Sequence, residues 1–454
     1  MALRPSLSFV LIASMALGCD DDVAPRALDL ALGADRACFL GAVTEDTGAS
    51  TDAGSIDAGV DARADEDAGV PEDAGTPEDA GTPEDAGTPE DAGTPEDAGT
   101  LEDAGVPEID AGLPEPDAGT GADAGPSETP TLGAAGIPFC WGGGSSDVAP
   151  LPNARPFVAM ALGAASCGLE STGALACWGA NGRGQLGDGT TTSRPEPQTL
   201  AGVTAYAFDV SRFAPATAGF TCALSTTGAL CWGANERGQL GDGSNLDRST
   251  PSPVAGPAGF LSIALGRAHA CAVDLEGHAQ CWGANDRGQL GDGTLVDRLT
   301  PTVVPGLEGV AEVATGADHT CARLTTGAVH CWGASDQGQA GTLVEPVLGP
   351  RAIELEGATQ LAAGALHTCA IDGEARVRCW GANASLQAGN GVAVPQTAPV
   401  TVAVSALRIA AGVANTCALN LGGSVLCWGA SSTGLVGSTT DGDTAFPTRI
   451  PGTP

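Results

Sequence analysis

The sequence predicts an all-β fold in which seven repeats close into a ring. Three observations carry this reading. The tripeptide CWG occurs seven times, with Trp141, Trp178, Trp232, Trp282, Trp332, Trp380 and Trp428 at its centre, and five of the six spacings are 48 to 54 residues. Every CWG cysteine but the first has a second cysteine nine or ten residues upstream. A Pro-bearing segment recurs between the repeats, absent at the start of the first and left over after the last.

Each repeat is built around a hairpin. In IALGRAHACAVDLEGHAQCWGANDRGQLGDG an apolar alternation leads to Gly266 and Cys271, then through a Gly-bearing turn to Cys281 and Trp282. That pattern predicts two short strands joined by a tight turn. With the three-residue loops Ser171-Thr172-Gly173, Leu275-Glu276-Gly277 and Thr325-Thr326-Gly327, cysteines ten apart face each other across the hairpin. Directly opposed Cα atoms at ~4.5 Å are within disulfide reach. The expected pairs are Cys167–Cys177, Cys222–Cys231 (nine apart), Cys271–Cys281, Cys321–Cys331, Cys369–Cys379 and Cys417–Cys427. Zinc is the rival reading, but its cysteines come as close C-x-x-C pairs with further ligands nearby.

Cys38 belongs to the same pattern. LALGADRACFL aligns with IALGRAHACAV, and the missing half is GIPFCWGGG at Cys140. The seventh expected disulfide is therefore Cys38–Cys140, spanning an insertion in the first hairpin turn. Fifteen cysteines are then seven pairs plus Cys19. The alternative is a free Cys38 in an ordinary leader. At the other end, the Pro-bearing AFPTRIPG has no repeat after it, so the C-terminal strand is expected to complete the N-terminal repeat and leave no bare edge. Cysteine and tryptophan adjacent in a strand point to opposite faces, so one face of each repeat should carry the disulfide and the other should insert an indole into its neighbour.

The pattern G-x5-C…CWGxNxxGQLGDG resembles the regulator of chromosome condensation repeat family, which includes secreted proteins like β-lactamase inhibitory protein II. The resemblance covers Ala27 to Thr44 and about Ala134 to Pro454. It weakens where GGGSSDVAP and GLVG replace the usual segment in the first and last repeats. It implies a seven-bladed β-propeller of four-stranded blades.

Composition sets the compartment. The formal net charge is −36, and the stretch Glu45 to Glu128 alone holds 26 acidic residues and one basic residue, Arg63, so the rest carries only −11. No basic patch stands out, which argues against nucleic-acid binding. MALRPSLSFVLIASMALGCD has Arg4, an apolar run Leu7 to Leu17 and small residues before Cys19, the pattern of a secretory signal over residues 1–18. Ala16-Leu17-Gly18-Cys19 resembles the lipobox of bacterial lipoproteins, which implies lipidation at Cys19. Ordinary cleavage after Gly18, giving a secreted protein, is the alternative. Residues 19–26 form a short anchor segment, 27–44 the first part of blade one, and 132–454 the rest of the ring. Between them, residues 45–131 repeat TPEDAG, a Pro-, Gly- and acid-rich composition that cannot bury a core and is expected to be disordered. Weak collection of divalent cations there is disfavoured, because DAG lacks the alternating acids of a calcium loop.

Candidate sites are few. GRGQLG at Gly182 to Gly187 formally fits a dinucleotide fingerprint but recurs as turn glycines with no helix after it. His269, His319 and His367, each two residues before a cysteine, read as structural hydrogen-bonders, whereas His278 and His330 match nothing. Arg194, Arg248 and Arg298 read as loop packing. What breaks the repeat is AYAFDVSRFAPATAGF, which carries the single tyrosine; Tyr206, Arg212 and Phe213 are the possible partner-binding residues, with local repacking as the plainer reading. No catalytic residue, metal site or cofactor is assigned. The expected function is an exported, lipid-anchored module that binds or scaffolds unidentified protein partners at the cell envelope, monomeric and without nucleic acid. The alternative is an envelope hydrolase or lyase; guanine-nucleotide exchange on Ran, the namesake's activity, is not expected of an exported chain.

Overall fold

The computed structural model describes residues 27–32, 36–42, 135–142, 145–153, 155–257, 259–431, 434–436 and 442–453. The expected signal segment, Cys19 and the TPEDAG tract lie outside the described residues. Among the described residues there is no helix.

Twenty-seven strands form seven blades. Blade one is β1 (Ala27–Leu32), β2 (Arg36–Ala42), β3 (Gly136–Gly142) and β4 (Ser145–Pro150). Blade two is β5 (Ala159–Ala161), β6 (Ala165–Leu169), β7 (Ala174–Gly179) and β8 (Arg194–Thr204). Blade three is β9 (Ala207–Val210), β10 (Phe220–Ser225), β11 (Gly228–Gly233) and β12 (Arg248–Pro253). Blade four is β13 (Phe260–Leu265), β14 (His269–Asp274), β15 (Ala279–Gly283) and β16 (Arg298–Val303). Blade five is β17 (Val310–Thr315), β18 (His319–Leu324), β19 (Val329–Gly333) and β20 (Val347–Ile353). Blade six is β21 (Gln360–Ala363), β22 (His367–Ile371), β23 (Arg376–Gly381) and the first part of β24 (Gln396–Ala411). The rest of β24 opens blade seven, followed by β25 (Asn415–Asn420), β26 (Val425–Gly429) and β27 (Thr444–Arg449).

The hairpin register is the one the cysteine spacing predicts. In every blade the two cysteines are direct partners across the second and third strands, for example Cys271↔Cys281 and Cys38↔Cys140. All seven disulfides are formed, with Cα–Cα separations of 4.0 to 4.1 Å. The nine-residue spacing of Cys222 and Cys231 reflects a turn one residue shorter, Ser225 pairing directly with Gly228. In the ten-residue hairpins Gly277 and Gly327 supply the positive φ (84° each) that closes a three-residue loop.

Each blade interface has one composition. The disulfide of one blade packs against the indole of the next: Cys271 and Cys281 with Trp332, Cys369 and Cys379 with Trp428, Cys38 and Cys140 with Trp178. The seventh such interface closes the ring, where Cys417 and Cys427 of blade seven meet Trp141, Leu32 and Phe39 of blade one. The N-terminal strand β1 packs directly on β24 and β25 there.

The route of closure differs from the expectation. The C-terminal strand β27 does not complete the N-terminal repeat; it pairs with β26 in its own blade, and blade one draws all four strands from its own end of the chain. The Pro-bearing segments are the outermost strands that end each blade, not strands that begin one. Proline lacks the N–H an interior ladder needs, so it sits on an edge strand, and β12 and β16 are such edges. An edge may be the inner or the outer one, and this ambiguity shifted the repeat frame.

Loop length sets an order among the bridges. Cys38–Cys140 closes a separation of 102 residues and Cys321–Cys331 one of 10. In the chain-entropy picture the longer closure stabilises more, by about 2 kcal/mol. Replacing Cys38 and Cys140 by alanine should therefore lower the denaturant midpoint more than replacing Cys321 and Cys331, and equal losses would mean that blade one folds independently of its bridge.

Candidate functional site

The ring has two unlike faces. One, the turn face, carries the short hairpin turns such as 275–277. The other, the loop face, carries the segment between the third and fourth strands, 284–297 in blade four. The loop is held by its own polar groups. Asn285 donates from Nδ2 to Asp292 Oδ1 and to the carbonyls of Thr294 and Val296, while its Oδ1 accepts from Leu290 N. Asn181 and Asn235 repeat this arrangement. Arg194, Arg248 and Arg298 pair with Asp188, Asp242 and Asp292 of their own loops. Hydrogen bonds from neighbouring hydroxyls, backbone N–H groups and these arginines outweigh burial and hold the three aspartates below the usual carboxylate range. In GRGQLG two of the three glycine N–H groups are spent inside the turn, Gly184 on Asn181 O and Gly187 on Gly184 O, which leaves no converging cradle for a phosphate.

The loop also receives the next blade. Trp332 Nε1 donates to Gln289 O at 2.9 Å, and the indoles of Trp232, Trp282, Trp380 and Trp428 do likewise to Gln185, Gln239, Gln339 and Gln387. Trp141 uses the carbonyl of Leu435 at 2.8 Å. The acceptor is backbone, so GLVG serves as well as GQLG. Gly291 has φ 69°, and a Cβ there would lie 2.7 Å from Trp332 Nε1. Its backbone conformation and the close indole both demand glycine.

His269, His319 and His367 are fully buried and bridge blades through Nε2 to Thr320, Thr368 and Thr416, at 2.9 to 3.0 Å. Thr320 and Thr416 donate their own hydroxyl protons to Gln289 O and Gln387 O, so the imidazoles facing them donate through Nε2–H. Nδ1 of each ring is buried without a partner. Burial lowers the pKa from 6.5 to about 3 for His269 and His319 and about 4 for His367. Among the described residues no three His, Cys, Asp or Glu side chains form a metal-ligand group.

The repeat-breaking segment does not form one patch. Tyr206 precedes β9 at the turn face, where its hydroxyl donates to Phe260 O of blade four at 2.6 Å. Arg212 and Phe213 follow β9 on the loop face, the guanidinium 5.9 Å from the phenyl centroid. A strand length separates Tyr206 from the other two, because β9 runs from one face to the other. The rest of the inserted loop packs on blade two, accepting from Arg183 Nε at Thr217 O and from Gln185 Nε2 at Ala216 O.

The inner strands of all seven blades line a central cavity of about 270 Å³. The residue opposite the first cysteine of each hairpin is alanine in six blades, at positions 31, 161, 264, 314, 362 and 410; in blade three it is Asp209. Asp209 is buried and accepts from Val210 N and Leu265 N, both at 2.9 Å. Glu312 accepts from Arg323 Nε and from Leu361 N of the next blade, and Gln360 pairs with the backbone of Ile409. Burial pushes both carboxyl pKa values up. Sequence reasoning missed these channel residues. Alignment on the cysteines could not have exposed Asp209, because the inserted loop places it 13 residues before Cys222, against six or seven for the alanines.

The fold and its stapled, interlocked interfaces define a seven-bladed propeller. A family model of the regulator of chromosome condensation (RCC1) repeat matches residues 172–224, 228–273 and 276–323, and a second model of the same repeat matches 260–289, 310–339 and 358–387. The matched segments thus carry repeats of this type, over less than half of the chain, and the likeness to solved structures shows the fold. Among solved structures, yeast RCC1 (Prp20) bound to Kap60 is similar at a TM-score of 0.61 and 21% identity, over 69% of this chain and 83% of that one. Human WBSCR16 is similar at a TM-score of 0.59 and 22% identity, over 67% and 84%. The ultraviolet-B receptor UVR8 of Arabidopsis thaliana is 32% identical over 142 residues, 30% of this chain and 31% of that protein, so the match spans under a third of that relative.

The buried histidines set an acid response. In the unfolded chain they titrate near 6.5, and in the folded one near 3 to 4. Their contribution is intact above about pH 6.5 and is lost as pH falls toward the folded values, with a limiting slope of about 1.4 kcal/mol per pH unit for each ring. Replacing all three with asparagine, the residue blade seven carries at Asn415, should flatten the fall of the urea midpoint between pH 6 and 4. An unchanged slope would assign the acid response elsewhere.

Proposed function

We propose that this chain is an exported, lipid-anchored propeller that holds protein partners at the cell envelope through its loop face. The observation that carries the reading is a crown of exposed aliphatic side chains at one loop position in four successive blades. They are Leu246 in blade three, Leu295 and Val296 in blade four, Leu343 and Val344 in blade five, and Val392 and Val394 in blade six, each 50 to 75% exposed. Blade two has Thr190-Thr191-Thr192 at that position. Apolar side chains gathered on one face mark interaction surfaces more than scattered ones do. The start of β1 at Ala27, the ends of β2 and β3 flanking residues 43–134, and the C-terminal end of β27 all lie at the turn face.

Export is supported by the cysteines: one buried disulfide in every blade suits an oxidising compartment and not a cytosol. The lipobox-like segment at Cys19 supports the anchor. Yeast RCC1 (Prp20), similar in fold, was crystallised with Kap60 bound. That likeness carries the fold, so the partner of this chain is to be identified directly.

Two measurements test the reading. Cys19→Ser should abolish incorporation of labelled fatty acid and release the chain from the membrane fraction; a chain that stays membrane-bound without lipid overturns the anchor. Changing Leu295, Val296, Leu343 and Val344 together to serine should leave unfolding within about 1 kcal/mol of the parent, as exposed positions do. The same variant should deplete crosslinked envelope partners. Undiminished crosslinking would move the binding surface off the loop face.

A further inference from the structure

Several arginines on the loop face are held by a carboxylate, and the largely buried Arg212 is not. Arg194, Arg248, Arg267, Arg287 and Arg298 each have a carboxylate oxygen within 3.0 Å. For Arg212 the nearest is Asp209 Oδ2 at 3.7 Å, beyond a hydrogen bond. Among the described residues its guanidinium has no hydrogen-bond partner, and its Nε is buried and unpaired. The side chain is only 22% exposed, is flanked by the Phe213 ring, and lines the central cavity. A half-buried cation with idle donors is costly to keep unless something takes them up.

The rest of the cavity says what could do so. Both channel carboxylates are already engaged, Asp209 by two backbone N–H groups and Glu312 by Arg323 and Leu361 N. Each carboxylate thus already has donors, and Glu312 has an ion-pair partner in Arg323. The other lining side chains are mostly alanine and aliphatic residues such as Leu162, Ile263 and Leu361, with Gln360 among them, although the surface they leave open to the cavity is more polar than apolar. With Asp209 next to Arg212, a doubly charged anion would meet repulsion that a single charge tolerates better.

We infer that Arg212 is the charge-recognition point of a ligand site in the channel, and that its ligand is a small aliphatic carboxylate, either a free acid or the C-terminal end of a peptide. The guanidinium edge receives the carboxylate, Phe213 fixes the guanidinium plane, and the alanine ring accepts the apolar body. The site arises in the one blade where the channel alanine is replaced and the loop after the inner strand is lengthened.

Calorimetric titration of the intact, disulfide-bonded chain tests this with hexanoate, hexanol, hexylamine and inorganic phosphate. The peptide Ala-Ala-Leu, with a free or an amidated C-terminus, separates the two sources. Hexanoate or the free-carboxylate peptide should bind saturably, and hexanol, hexylamine, phosphate and the amidated peptide should not. Arg212→Gln should weaken binding by about ten- to a hundredfold, the value of charge-assisted hydrogen bonds. Asp209→Asn, which removes the competing negative charge, should tighten it. Unchanged thermal unfolding of Arg212→Gln, with Arg212→Lys retaining part of the affinity, separates recognition from folding. The inference is overturned if no carboxylate binds at millimolar concentration. It is equally overturned if hexanol or hexylamine binds as well as hexanoate, or if Arg212→Gln binds like the parent.

Discussion

The architecture depends on one contact repeated around the ring: a buried indole N–H reaching across a blade boundary to a backbone carbonyl in the preceding blade's loop. Trp332 and Thr320 of blade five both donate to Gln289 O of blade four. A buried N–H left without an acceptor costs about 1–3 kcal/mol, so the loop must hold that carbonyl in place. Its design follows from this demand. Asn285 ties the two ends of the loop together, and Gly291 lets the backbone pass against the indole. Polar residues that look like a binding motif in the sequence are thus the mounting for a tryptophan.

The same interface explains why the ring closes without exchanging a strand. Propeller blades must be joined somewhere that the chain is not continuous, and strand pairing between the two ends is one way. Here the join has the disulfide and indole of every other interface, the Cys417–Cys427 bridge and Trp141, with a hydrogen bond from Trp141 to Leu435 O like those in blades three to seven. Six interfaces already show that this packing holds two blades together, and the seventh repeats it. Blade one must then be a complete sheet in its own right. The Cys38–Cys140 bridge makes it so, fixing two strands that lie 102 residues apart in the chain.

What could be read from the sequence divides along physical lines. Disulfide register was legible because it follows from strand period and turn length, both local. The opposed placement of disulfide and indole was legible for the same reason, as adjacent strand residues face opposite sides. The phase of the blades was not, because proline reports an edge without saying which edge. Tyr206 was misplaced with Arg212 because proximity in sequence ignores that a strand carries the chain from one face of a ring to the other. The buried histidines were assigned correctly as hydrogen-bonders, though their threonine partners lie 49 to 51 residues away and no local pattern points to them.

Function then has restricted places to arise. Asparagine, aspartate, arginine and threonine that recur from blade to blade are engaged by one another, and the recurring histidines are sealed between blades, so these groups have little left to offer a ligand. Freedom remains in two kinds of residue. The side chains of loop tips such as Leu295, Val296, Leu343 and Val344 face outward and take no part in the mounting, so they can be apolar in one sector and threonine in another. Positions where the repeat fails are the other kind. In blade three the inserted loop replaces the short Gly-containing turn, Phe220 takes the place held by histidine in blades four to six, and Asp209 takes the place of alanine. No inter-blade histidine bond forms there. Of the polar groups that appear instead, Asp209 reaches across to Leu265 N of blade four, and Arg212 lines the channel without a hydrogen-bond partner among the described residues.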